Sequence, residues 1–289
     1  MNEGDIRDIT DNKIRNLMKM LLWKAFTIIF SQEVITMKEI LLCDNGEYLR
    51  VADLCEKFNV NVNIDAFSDP EYFNTYPNEI EKQLERYKNI KVCSIHGSFT
   101  DLCFGSKDSL IREATKNRFE YSYEISRKLG CKNIVLHHGY VPGTSYPPNW
   151  VKRSKIFWDD FLRNKDDETV FYIENLLEHT PDLISEVAST VNDSRLNICL
   201  DIGHAHCNSK TSVLDWVKKL NKQIGFVHLH NNYGQEDEHL GFEKGTIDFL
   251  EICNALEEYA PNSIWGIETN INDMESSIIW LIENNFLKA

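Results

Sequence analysis

Nine side chains in this sequence have types and positions suited to holding a divalent cation. His96 closes the run Val-Cys-Ser-Ile-His, and His137 closes Ile-Val-Leu-His. Glu174 follows Phe-Tyr-Ile, and Asp201 follows Cys-Leu with His204 three residues on. His228 ends Gly-Phe-Val-His, Asp237 and His239 share the acidic stretch after it, and Glu268 follows Trp-Gly-Ile. Five imidazoles and four carboxylates form a mixed N/O set, which suits Zn, Mn, Fe or Co rather than Ca or Mg. A single His at the end of an apolar run is more often a hydrogen-bonded structural residue. Six successive runs, each ending in a ligand type, argue jointly for a metal site. Converging carboxylates would repel one another unless a cation neutralised them. His138 neighbours His137 and is expected on the opposite side of its strand. His206 and His230 are read as lining the mouth of the site, and His179 as an ordinary loop residue.

Those residues need elements that bring them together. Eight short β-rich runs fall at 40–43, 60–64, 92–95, 133–136, 170–173, 197–200, 224–229 and 264–267. Helical patterns separate them at 48–58, 77–87, 109–129, 150–162, 183–191, 213–220, 247–259 and 274–282. Gly130 supplies a left-handed stop for the third helix, and Thr180-Pro181 a start for the fifth. Strands alternating with helices imply parallel pairing. Eight such units in residues 37–289 imply a single α/β (β/α)8 TIM barrel, whose strand ends meet on one face. A doubly wound open sheet is the rival, but no Gly-rich phosphate loop follows an early strand.

Composition narrows the function class. The 289 residues carry 45 acids against 31 bases, a formal net charge of −14, with 42% hydrophobic residues. Enough apolar surface is present to exclude disorder as the main state. Acid excess and the lack of a basic run disfavour nucleic acid as a partner. Eight scattered cysteines without a CxxC pair read as buried, reduced thiols, which implies a cytoplasmic protein. Residues 1–36 are expected to be a short N-terminal extension that contributes no ligand, or an unused upstream start. The apolar stretch 17–30 in that segment is interrupted by Lys19 and Lys24, so neither a membrane span nor a signal peptide is expected.

In combination, Ile-Glu-Asn at 173–175, Leu-Asp-Ile-Gly-His at 200–204, His-Leu-His-Asn at 228–231 and Asp-Glu-His-Leu-Gly at 237–241 carry a resemblance. From Met37 onward the chain resembles the xylose-isomerase-like TIM-barrel superfamily, which holds sugar and sugar-phosphate isomerases and epimerases and the endonuclease IV type of apurinic-site nuclease. The resemblance implies two ligand sets. In the nuclease branch three zinc ions would be held by residues matching His96, His137, Glu174, Asp201, His204, His228, Asp237, His239 and Glu268. In the epimerase branch one divalent ion would be held by Glu174, Asp201, His228 and Glu268. There the two glutamates also act as acid and base, and His204 contacts substrate. One to three ions per chain are therefore expected.

Loop chemistry chooses between the branches. A nuclease needs cationic and wedge residues around its pocket. Here the loop after the seventh strand reads Gln-Glu-Asp-Glu at 235–238, and the stretch 140–150 is aromatic and uncharged. This favours a small carbohydrate substrate and a metal-dependent isomerase or epimerase acting through an enediolate. The alternative is zinc-dependent hydrolysis of abasic DNA. Lys244 and Arg153 are candidate phosphate contacts, more simply read as surface charges. Barrels of this type often pair through their loop faces, so a homodimer is compatible with the sequence.

Overall fold

The computed structural model describes residues 38–288. The expectations for residues 1–36 lie outside the described residues. Eight strands close in sequence order into a barrel, every neighbouring pair parallel. They are β1 (Ile40–Cys43), β2 (Asn61–Ile64), β3 (Val92–His96), β4 (Asn133–His137), β5 (Val170–Glu174), β6 (Leu196–Asp201), β7 (Ile224–Leu229) and β8 (Ile264–Ile267). The connecting helices are α1 (Tyr48–Phe58), α2 (Pro70–Thr75), α3 (Glu79–Arg86), α4 (Ser109–Leu129), α5 (Pro147–Leu162), α6 (Asp182–Val191), α7 (Ile202–Asn208), α8 (Val213–Leu220), α9 (Phe249–Tyr259) and α10 (Ile271–Glu283). The (β/α)8 expectation holds, with two helices the sequence reading passed over. One is α2, within the β2–α3 connection. The other is α7, which starts directly from the end of β6.

Strand alternation sorts the core. One phase points outward to the helices, where aromatic and aliphatic side chains such as Phe104, Phe119, Trp158 and Phe171 are packed. The other phase fills the barrel interior with a small plug of Leu41, Val135, Tyr172, Cys199 and Phe226. Two residues further along that inward phase lie Cys43, His137, Glu174, Asp201 and His228. Because side chains on a strand repeat every two residues, interior packing fixes which residues face the mouth.

Local sequence explains several termini. Asp108 caps α4 by accepting the Leu110 N–H, and Gly130 ends it in the left-handed region at φ 71°. Helix α6 begins one residue later than the Thr180-Pro181 reading, because Pro181 occupies the cap and Thr180 Oγ1 turns to Asp182. All eight cysteines are free thiols, as expected, but only five are buried: Cys93, Cys103 and Cys207 are half-buried. Among the described residues no helix is long and apolar enough to cross a membrane.

Candidate metal centre and active site

The strand ends converge as the barrel requires. Glu174, Asp201, His228 and Glu268 each place one potential ligand atom within 4.8 Å of the others. His228 Nδ1 is the meeting point, 3.0 Å from Glu174 Oε1, 3.1 Å from Glu268 Oε2 and 3.8 Å from Asp201 Oδ2. One ring nitrogen carries at most one proton, so it cannot satisfy three carboxylates. Glu268 Oε2 is buried without a hydrogen-bond partner. Three carboxylates around one sealed imidazole, with an orphaned oxygen among them, fit a divalent cation.

The other five predicted ligands flank this cluster. His96 Nε2 lies 3.1 Å and His137 Nε2 3.7 Å from Glu174 Oε2, which makes a second grouping on β3, β4 and β5. His204 Nε2 and His239 Nε2 lie 3.2 Å and 3.0 Å from Asp237 Oδ2, which makes a third. All nine residues are thus brought together at one barrel mouth.

Each is held by its local element. Asp201 is the N-cap of α7 and accepts the His204 backbone N–H at 2.6 Å. That cap explains the Asp-x-x-His spacing: a capping residue and its third helical residue share a turn. His204 Nδ1 is fixed 2.9 Å from the Asn175 carbonyl, and Asn175 Nδ2 donates to the Asp201 carbonyl. His239 sits at φ 49°, a left-handed conformation uncommon outside glycine, with Nδ1 2.7 Å from the Glu268 carbonyl. The outward prediction for His138 holds. The Trp150 indole N–H donates to its Nε2, leaving the proton on Nδ1 to face Glu178 Oε1 at 2.6 Å.

Electrostatics follow from this crowding. Burial alone would raise the Glu174 carboxyl, but His228, His96 and His137 outweigh it and hold Glu174 well below the usual range. Burial and neighbouring imidazoles push His137 down to about 3, so it is neutral at pH 7 with a lone pair free to ligate. For His204, burial is outweighed by Asp201, Asp237 and Glu174, which hold the ring well above its ordinary value. His239 is likewise raised to about 9, chiefly by Asp237 against burial.

Above the cluster lies a cavity of about 590 Å³, the size range of small-molecule sites. Its wall includes His96, His137, Glu174, His204, Asp237, His239 and Glu268. It also includes residues that the sequence reading did not select: Asn45, Asp65, Phe99, Thr100, Asp101 and Leu176. Asn45 and Asp65 were findable, because they continue the inward phase of β1 and β2. Burial and the adjacent Asp44 raise the Asp65 carboxyl to about 9. Phe99, from the loop after β3, stacks on His137 with ring centroids 4.5 Å apart.

Several expectations need correction. The aromatic stretch 140–150 does not form the cavity wall. Trp150 is 1% exposed in the outer core, and Tyr140 borders a separate cleft beside α6. Tyr140 packs edge-on against Trp150 with centroids 5.0 Å apart, whereas Tyr146 is exposed to solvent. His230 is no rim residue: it is fully buried, with Nε2 3.1 Å from both Asp201 oxygens. His206 is half-exposed and bonds Thr246. Neither phosphate-contact candidate is free, since Lys244 pairs with Asp273 and Arg153 donates to the Gly105 carbonyl.

A closed parallel barrel with a metal-competent mouth defines the class, and comparison with known proteins agrees. The chain belongs to the xylose isomerase-like TIM barrel family, whose family model matches residues 60–284. The uncharacterized protein MJ1311 of Methanocaldococcus jannaschii is 28% identical over 63% of this chain, a match spanning 66% of that protein. A solved D-tagatose 3-epimerase-like protein superposes with a TM-score of 0.69 at 24% identity, covering 86% of this chain and 97% of its own. IolI protein with a bound zinc atom superposes at 0.68 and 16% identity, covering 88% and 100%. These likenesses concern the fold.

Proposed function

We propose that the protein is a metal-dependent isomerase or epimerase that moves a proton on a small sugar. The observation that carries this reading is the floor of the cavity. Glu174 and Glu268, from β5 and β8, reach the same His228 nitrogen and both border the cavity. Among the described residues, that cavity's wall carries five carboxylates and no Lys or Arg. A phosphodiester backbone would meet no lysine or arginine there. The epimerase-like and zinc-bound fold relatives support the same direction.

Glu174, Asp201, His228 and Glu268 would hold the ion, which when bound would polarise the oxygens of a carbonyl substrate. The chain's own groups do the rest. One glutamate takes the proton from the carbon beside the carbonyl, leaving the electron pair delocalised as an enediolate. The other returns a proton to carbon. Glu268, with 16% of its side chain exposed, has more access to substrate than Glu174 at 1%. His204 borders the cavity with Nδ1 held by the Asn175 carbonyl, and its Nε2 would reach a substrate oxygen by exchanging its contact with Asp237. Phe99 supplies an apolar wall that displaces water.

One observation favours a second reading. Besides the four-residue cluster, His96 and His137 group with Glu174, and His204 and His239 flank Asp237, which is more than a single ion needs. That pattern suits multi-metal phosphodiester hydrolysis as in the endonuclease IV branch. A single assay separates the two. The Mn2+- or Co2+-loaded protein is incubated with ketohexoses such as D-fructose in D2O. Carbon-bound deuterium that is lost in Glu268→Gln supports the isomerase. No exchange, together with chelator-sensitive cleavage of an abasic duplex that Glu174→Gln abolishes, would establish the hydrolase.

A further inference from the structure

His230 stands two residues beyond His228 on the same inward phase, yet neither ligand set implied by the resemblance contains it. Its ring is fully buried. Nε2 lies 3.1 Å from Asp201 Oδ1 and 3.1 Å from Oδ2, a donor straddling both oxygens. Asp201 Oδ1 also accepts the His204 N–H, so Oδ2 is the oxygen left to face His228. The His239 ring stacks on His230 with centroids 4.0 Å apart and planes 13° apart. His230 Nδ1 has no partner. A deliberate space is kept for this ring: a Cβ on Gly203, in the first turn of α7, would fall 1.9 Å from His230 Cε1.

We propose that His230 is a positioning residue that aims the Asp201 carboxylate at the Glu174–His228–Glu268 cluster and braces His239 at the cavity wall. This rests on the metal-dependent reading above. A carboxylate on a short cap has freedom to rotate. A hydrogen bond to both oxygens fixes its plane and leaves one lone pair directed at the ion. Such outer partners typically set metal affinity by 10- to 100-fold. The parallel stack serves the loop. His239 is held in a left-handed backbone conformation, and a flat buried ring against its own ring limits where its imidazole can go. His230 also lies within ligand distance of Asp201 and His204 and of His239 and Glu268, but its Nε2 is committed to both Asp201 oxygens, and that contact is what sets it behind the Asp201 carboxylate.

The test uses Co2+ alone as the probe, titrated into the full chain, with its visible absorption as the readout. His230→Phe keeps a ring to stack on His239 and removes the donor. Gly203→Ala keeps the imidazole and displaces it. Both variants should bind Co2+ about 10- to 100-fold more weakly. Their saturated spectra should match the wild-type shape, because no ligand is lost. A merely structural role would lower the thermal midpoint and leave Co2+ affinity unchanged. Unchanged affinity in both folded variants overturns the proposal. So does an altered saturated spectrum in His230→Phe, which would make His230 a direct ligand. Failure of the wild-type chain to bind Co2+ would instead overturn the metal reading itself, and the inference with it.

Discussion

Two carboxylates at the cavity wall illustrate how surroundings assign roles at the scale of single residues. Glu268 has an oxygen with no donor and some access to the cavity, the state of a group that ligates or takes a proton. Replacing it with Gln preserves shape and removes the base. Glu268→Gln should fold normally and lose at least ~10²-fold in carbon–deuterium exchange rate, the usual scale for a general base. Asp65 is the opposite case. Its contact with Asp44, which also accepts the Tyr87 hydroxyl, and its burial raise its carboxyl from 3.8 to about 9. The folded chain then keeps this proton while the unfolded chain releases it. Stability from this group is complete below pH ~4 and falls as pH rises through 9, by at most ~1.4 kcal/mol per pH unit. Denaturant titrations with chelator present should show that the wild-type decline between pH 5 and 9 (chosen within that window) is shallower in Asp65→Asn. Equal slopes in the two proteins would contradict a raised Asp65 carboxyl.

Elements explain which of these roles could be read from the sequence. Strand runs followed by helical patterns revealed all eight units, and chain polarity placed His96, His137, Glu174, Asp201, His228 and Glu268 at one end. Period-2 alternation also separated His137 from His138 correctly. Asn45 went unselected because an amide was not among the ligand types, and Asp65, a carboxylate directly after the run 60–64, fits the same pattern and was passed over, although the inward phase through Leu41–Cys43 and Asn63 leads to both. His230 was misplaced for a different reason. Its burial depends on Gly203 and on the left-handed turn at His239, and neither tertiary contact has a local signature. The aromatic stretch 140–150 misled because aromatics before a helix serve the outer core as readily as a pocket. Helix α7 was passed over because Asp201 works both as a strand end and as a cap. That double duty is testable. Asp201→Asn keeps a capping oxygen, whereas Asp201→Ala removes it. The Ala variant should be less stable than the Asn variant by ~1 kcal/mol in thermal or denaturant melts, while both lose metal affinity. Equal stability would mean that the cap contributes nothing to the start of α7.

For the whole molecule, barrel closure is the feature that makes the site. Strand β1 pairs with both β2 and β8, so the ring is complete from Ile40 onward. A chain beginning at Met37 should therefore fold cooperatively and bind the same ion. Aggregation, or loss of metal from that shortened chain, would show that residues 1–36 are needed. The closed ring also concentrates charge, because strands that run parallel deliver their terminal carboxylates to one mouth. The cluster around His228 brings three carboxylates to one imidazole, with Glu174, Asp201 and His228 all buried. The central claim is that this cluster holds a single catalytic ion. It is tested most directly by elemental analysis of the purified, metal-loaded and desalted protein, read as tightly bound ions per chain. The account predicts one ion per chain, lost in Glu174→Gln and in Asp201→Asn. Three ions per chain would contradict it and restore the hydrolase reading.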